Sequence, residues 1–277
     1  MDFPVAGTYC ASFDRRALKP ILASMSIVSS LAKATLLEAV RNRLLWLAVI
    51  VIVVAFGLTQ FLDQVAITEA REIQAALLAA PLRVAAVFIL AVFVITSMVR
   101  ESSDKVTDLL LSLAAPRSHY FFGKFAGYAA VAVILALLCA LPLAPFAKPV
   151  GLIVWTASLV CELLIVTAMS LFCVLSLGHV VPAFAAVGGF YLLSRSMTAM
   201  QIIAGASLHD QTISDRAVSA IVGLIALLLP SLDSMTQTTW LLGGAFGNAG
   251  SQVFGQTAIY LVLICSAGLF DLYRKNF

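Results

Sequence analysis

Charged side chains are scarce in this 277-residue chain, because Asp, Glu, Lys and Arg together make up only 11% of it. A typical soluble domain carries about 25% charged residues, which form most of its wetted exterior. Hydrophobic residues reach 62%, and the mean hydropathy is +1.04. This composition excludes a soluble enzyme, a disordered chain, a fibrous repeat and a disulfide-stapled domain, and it indicates an integral membrane protein.

The chain also lacks the common motifs of catalysis. It has no G-x-x-x-x-G-K-S/T loop, no H-E-x-x-H and no G-x-S-x-G, and none of its five cysteines forms a C-x-x-C pair. Its three histidines are scattered, and no basic patch with interleaved aromatic residues occurs. We therefore expect no catalytic residue, no metal site, no directly bound cofactor and no nucleic-acid partner.

Long uncharged runs are what the sequence does have, and they are continuous rather than alternating. A membrane helix needs about 20 apolar residues, whereas barrel strands alternate. The sequence predicts an all-α polytopic membrane protein, with residues 1–23 as a cytoplasmic tail and 24–277 as the transmembrane domain. The six predicted spans are residues 44–62, 84–99, 125–144, 152–177, 183–203 and 253–272.

The segment before the last span is ambiguous. Residues 217–229 are apolar but cover only about 20 Å as a helix, too little for a hydrocarbon core of about 30 Å. Pro230 then interrupts the run, and 231–252 is rich in Ser, Thr and Gly. We expect a re-entrant or interfacial hairpin here; a seventh span would move the C-terminus to the opposite side.

The distribution of basic residues predicts the orientation. With the N-terminus inside, six spans place twelve of the 17 Lys and Arg residues on the cytoplasmic side, four outside and Arg195 within a span. Positive residues favour the cytoplasmic loops. Both termini are therefore expected in the cytoplasm.

Two charges fall inside predicted spans. Glu162 and Arg195 each lie about 15–18 Å deep, on spans joined by a short turn that makes them antiparallel neighbours. A lone charge at that depth costs at least about 2.5–3.5 kcal/mol. We therefore expect an intramembrane Glu162–Arg195 ion pair, with either a structural or a gating role.

Residues 24–43 have a helical pattern ahead of the first span. Val28, Ala32, Leu36 and Val40 follow a spacing of four, with charges elsewhere on the wheel. The pattern predicts a helix lying in the membrane interface. A cytosolic extension of the first span is the alternative.

The connection between the second and third spans, residues 101–124, carries an amphipathic pattern. Its apolar stripe consists of Val106, Leu109, Leu110 and Leu113, and Asp104 and Asp108 lie on the polar side. Such a helix could bind in a groove of another protein or lie flat on lipid headgroups.

The same stretch resembles the cytoplasmic loop of type-2 ABC export permeases, in the branch that includes the copper-site maturation and gliding-motility permeases. The matching elements are Glu101, Thr107, Leu110-Leu111-Ser112, Arg117 and Gly123-Lys124, followed elsewhere by Arg41-Asn42-Arg43, Leu229-Pro230-Ser231-Leu232-Asp233 and the basic-aromatic tail from Asp271 to Phe277. The chain departs from the family pattern at Val106 and Ala114, which replace a Gly and a Pro, and at Thr35, which replaces an acidic residue.

The resemblance implies a permease subunit of the bacterial inner membrane that pairs with a second copy as a homodimer and binds two ABC ATPase subunits, with room for a periplasmic accessory protein. ATP and Mg would be bound by the ATPase. The ATPase-coupling residues would be Glu101, Asp104, Asp108, Leu109, Leu110, Leu113, Arg117 and His119. Pro230 and Asp233 would belong to a gate hairpin. A non-transporting scaffold or assembly factor of an envelope or respiratory complex is the alternative.

Overall fold

The computed structural model describes residues 29–42, 44–65, 70–104, 117–206 and 247–274, together with 223, 229, 230 and 232. Over these residues the regular structure is entirely helical. The expected tail at 1–23 and half of the 101–124 connection, residues 105–116, lie outside the described residues, as does most of the expected gate hairpin.

Seven helices and one short 3-10 turn make up the described structure. They are α1 (Ser29–Arg41), α2 (Leu44–Val65), α3 (Ala70–Ser103), α4 (Arg117–Ala140), the 3-10 turn Leu141–Leu143, α5 (Pro149–Leu177), α6 (Val180–Ala206) and α7 (Gly247–Arg274).

Five of these helices, α3 to α7, contain segments long and apolar enough to cross a membrane. Helices α1 and α2 form a bent pair with an angle of 56° and would contribute a sixth crossing if counted together. The prediction of a helical polytopic membrane protein is thereby confirmed, while the count of six spans stays a prediction.

The helix of the second predicted span, residues 84–99, begins well before Val84. Helix α3 runs without interruption from Ala70 through Pro81 to Ser103. Residues 84–99 alone would extend only about 24 Å, less than the hydrocarbon thickness of about 30 Å. The helix therefore continues into the preceding segment, where Arg83 is accommodated because a buried carboxylate pairs with it.

Other helices also begin earlier than the uncharged runs indicate. Helix α4 begins at Arg117 rather than at Phe125, and Lys124 lies inside it. Helix α7 begins at Gly247, so the end of the segment expected as a hairpin is helical. Helix α5 ends where predicted, at Gly178, whose φ of +70° is the left-handed conformation that glycine adopts without strain.

Helix α5 is the central element of the bundle. It packs against α3, α4, α6 and α7, and 78% of its apolar membrane-spanning stretch is buried. Because four neighbours surround it, α5 is the helix on which a polar side chain meets protein rather than lipid.

Helix α1 packs on the bundle through part of the predicted apolar stripe and the residues beside it. Leu36 of the stripe packs against the core, and Thr35 and Ala39 are buried. Val40, the last member of the stripe, is 61% exposed. Thr35 Cβ lies 2.7 Å from the position that a side-chain carbon on Gly127 of α4 would occupy, so only glycine permits this approach. The absence of a side chain at Gly127 therefore permits the close approach of α1 to α4.

Candidate functional site

Glu162 is the centre of a buried charge cluster. It lies on α5, about 20 Å along the helix from Pro149, and its side chain is fully buried. Its Oε2 accepts a hydrogen bond of 2.9 Å from Nη1 of Arg83 on α3. The two ends of this ion pair are 1% and 0% exposed, so neither charge is screened by solvent.

Arg83 is held on three sides. Besides Glu162, its Nη2 donates a hydrogen bond of 2.9 Å to Oγ of Ser158, one helical turn away on α5. Its guanidinium carbon lies 5.1 Å from the ring centroid of Trp155, a distance typical of a cation–π contact. Trp155, Ser158 and Glu162 are spaced by three and four residues, which places them on one face of α5.

Arg195 approaches the same carboxylate from α6. Its Nη1 is 3.6 Å from Oε1 of Glu162, a distance of an ion pair rather than of a hydrogen bond, and it donates a 3.2 Å hydrogen bond to the hydroxyl of Tyr191. Arg195 is 28% exposed. The two residues expected to pair are therefore close together, but Arg83 is the nearer partner of Glu162.

The cluster contains more positive than negative charges. Two guanidinium groups share one carboxylate, so its formal charge is +1. Among the described residues, Nε of Arg83, Nε1 of Trp155 and Oε1 of Glu162 have no hydrogen-bond partner. An incompletely satisfied, positively charged group of side chains within the bundle is an uncommon feature, because buried charges are usually fully paired.

A second polar assembly lies between the end of α3 and the start of α4. Nζ of Lys124 on α4 is 2.8 Å from Oε2 of Glu101 on α3, and Tyr120 donates a hydrogen bond of 3.5 Å to the same oxygen. Lys124 is 4% exposed and also lies 6.0 Å from the ring centroid of Tyr128. This ion pair joins the end of α3 to the first turns of α4. We call the Glu101–Lys124 pair the closed base, because the 105–116 segment connects the two helices that it joins.

A chain of hydrogen bonds connects this base to α1. The hydroxyl of Tyr128 donates to Oγ of Ser97 at 3.0 Å, and Ser97 donates in turn to Oε1 of Glu38 at 2.7 Å. The three residues belong to α4, α3 and α1 respectively. The chain therefore ties the N-terminal helix to the two helices that carry the 105–116 segment.

The remaining predicted site residues are placed separately. Asp104 is exposed and its backbone N–H bonds to the carbonyl of Arg100, which extends the end of α3. Arg117 opens α4, and His119 is half-buried two residues later. Pro230 is buried. The predicted residues that lie outside the described part of the chain are Asp108, Leu109, Leu110, Leu113 and Asp233.

Arg83, Lys124 and Glu38 are the charged residues of these two clusters that sequence reasoning does not assign to a site. The shortness of the 84–99 run already indicates that the helix must extend past Arg83. No local pattern predicts the partners of Lys124 and Glu38.

The sequence matches no family model and no curated protein.

Proposed function

We propose that this protein is the membrane-spanning permease subunit of an ATP-binding-cassette exporter, which moves a substrate across the membrane while a separate ATPase subunit hydrolyses ATP. The resemblance of residues 101–124 to the cytoplasmic loop of such permeases motivates the proposal. The observation that carries it is the closed base made by Glu101 and Lys124, because a loop that receives force must be anchored to the helices it moves.

The geometry of the base suits such a lever. The Glu101–Lys124 pair binds α3 to α4, and the Tyr128–Ser97–Glu38 chain adds α1. A displacement of the 105–116 segment would then move three helices together rather than bend one loop. Glu162, also contacted from α3, would transmit this motion to α5 and α6 through its two arginines.

In this proposal the apolar stripe residues Leu109, Leu110 and Leu113 dock in a groove of the ATPase, as an amphipathic helix does. Two copies of the chain and two ATPase subunits form the transporter, in the inner membrane of a bacterium, with both termini in the cytoplasm. ATP and Mg are bound by the ATPase subunits.

The test is co-expression with ATPases encoded nearby, followed by purification and measurement of ATP hydrolysis in lipid. We expect an ATPase to co-purify, and we expect Leu110→Asp to abolish co-purification. Lys124→Gln should leave the ATPase bound but reduce its stimulation by the permease. Leu137→Asn, at an exposed position of α4, is the control.

Retention of no ATPase under any of these conditions, with the protein folded, would contradict the proposal. That outcome would favour the scaffold or assembly factor, which needs the same helices but no ATPase.

A further inference from the structure

An apolar groove lies in the seam between α3 and α6. It encloses about 100 Å³, less than the roughly 150 Å³ of a protein cavity that admits benzene. An apolar groove this small suits a chain that lies along it rather than a bulky ligand enclosed by it. The groove is lined by Val84, Val87, Phe88 and Ala91 of α3 and by Phe184, Val187, Gly188, Tyr191 and Leu192 of α6.

One end of the groove lies at the charge cluster. Helices α3 and α6 are separated by two further spans, so they cross in opposite directions, and Val84 lies toward the Tyr191 end. Arg83 directly precedes Val84, and Tyr191 accepts a hydrogen bond from Arg195. The groove is thus lined by apolar side chains and Tyr191, and Arg195 lies beside its Tyr191 end, which is the polarity of a site for an anionic amphiphile.

Arg195 is the group that such a ligand would meet. It is 28% exposed, whereas Arg83 is buried, and within the described part of the chain both of its contacts use Nη1. The cluster has a formal charge of +1, which one monoanion would neutralise. Since an uncompensated charge within the bilayer is costly, binding of a lipid-soluble anion is favoured here.

We propose that the α3–α6 groove and Arg195 form a binding site for a long-chain fatty-acid carboxylate. The alkyl chain lies between the two helices, and the carboxylate is held at the Arg195 end, where a planar guanidinium matches it. From Phe184 to Tyr191 the seam is about 10 Å long at about 1.5 Å per residue, so it covers part of one chain. The site goes beyond the transport proposed above, because binding needs no ATPase.

The site can be tested in the purified full-length protein in nanodiscs of zwitterionic lipid. A palmitate analogue with a diazirine on its chain is irradiated, and labelled residues are identified by mass spectrometry. We expect labelling within residues 84–91 and 184–192. Palmitate should compete about tenfold better than hexadecanol, and hexadecyltrimethylammonium should not compete, because only the anion neutralises the cluster.

Adjacent glycines provide a matched pair of variants. A side-chain carbon on Gly188 or on Gly189 would meet no atom within 4 Å, but only Gly188 lines the groove. Gly188→Phe should abolish labelling and Gly189→Phe should retain it. Arg195→Gln should remove the preference for palmitate over hexadecanol while some labelling of the groove persists.

Equal competition by palmitate and hexadecanol in the unsubstituted protein would overturn the proposal, since it would show unselective contact with lipid. Undiminished labelling of a folded Gly188→Phe variant would do the same. Crosslinking of the groove to a second copy of the chain in place of the probe would show that a protein surface covers it, which also refutes a fatty-acid site. The competition series needs no variant and decides the matter even if Gly188→Phe fails to fold.

Discussion

Replacing Glu162 by glutamine should be one of the most damaging isosteric changes in the bundle. Glu162 is the only carboxylate within ion-pair distance of Arg83 among the described residues, and Arg83 is 1% exposed. Without it, two guanidinium groups would face each other within the membrane domain. Removal of one partner of a buried pair costs about 3–5 kcal/mol, and a lone arginine in a membrane helix costs about 2.5–3.5 kcal/mol.

We take about 3 kcal/mol as the expected loss, since hydrogen bonds to Ser158 and the contact with Trp155 remain for Arg83. At about 2–4 °C per kcal/mol for a chain of 150–250 residues, the unfolding midpoint should fall by roughly 6–12 °C. Arg195→Gln should cost far less, about 0–1 kcal/mol, because Arg195 is partly exposed and lies 3.6 Å from the carboxylate.

The chain supplies its own reporter for this measurement. Among the described residues, the free cysteines Cys139, Cys161, Cys173 and Cys265 are all buried. A thiol-reactive dye that becomes fluorescent on reaction therefore follows unfolding in detergent as these thiols are exposed. The double variant Arg83→Met with Glu162→Leu should recover much of the loss, because apolar replacement of a whole buried pair is often neutral.

The relative unfolding midpoints of the Glu162→Gln and Arg195→Gln variants test which arginine is the main partner of Glu162. An Arg195→Gln variant as unstable as Glu162→Gln would show that Arg195, not Arg83, is the main partner of the carboxylate. A Glu162→Gln variant with an unchanged midpoint would show that the cluster is solvated, and the estimate from burial would then be refuted.

Two further predictions concern the packing of α1. Gly127→Ala should lower the unfolding midpoint, because its new carbon would meet Thr35 at 2.7 Å. Gly189→Ala has open space and should increase the free energy of unfolding by the usual helical gain of about 0.5–1 kcal/mol. Partial rescue of Gly127→Ala by Thr35→Gly checks the cause, and equal effects of the two alanines would contradict it. Ser97→Ala should remove the hydrogen bond that the structure shows to the side chain of Glu38 and increase proteolysis within α1, while the cysteine-reported transition of the bundle persists. An unchanged proteolysis rate would show that this hydrogen bond does not hold the helix.

Much of the fold followed from local properties of the sequence. An uncharged apolar run predicts a membrane helix because the bilayer leaves a backbone no other way to satisfy its hydrogen bonds than within the helix. The positions of five helices were therefore predicted, although α3 and α4 began earlier than their uncharged runs. Their extra turns contain Arg83 and Lys124, whose charges are tolerated only because another helix supplies a carboxylate.

The candidate site could be predicted only in part for the same reason. Glu162 and Arg195 lie on consecutive spans joined by a short turn, so their proximity follows from chain connectivity. Arg83 is 79 residues from Glu162 and reaches it because α3 packs beside α5, which no local pattern encodes.

The sequence by itself determined that this protein is a bundle of membrane helices, since hydrophobicity is a sum over neighbouring residues. Only the tertiary structure decided that Arg83 completes the charge cluster, that Glu101 meets Lys124 and that Thr35 packs on Gly127. Each of these depends on which helix faces which and at what rotation. That choice is made by the packing of side chains far apart in the chain, where a single methyl group or an unpaired charge is sufficient to exclude an alternative.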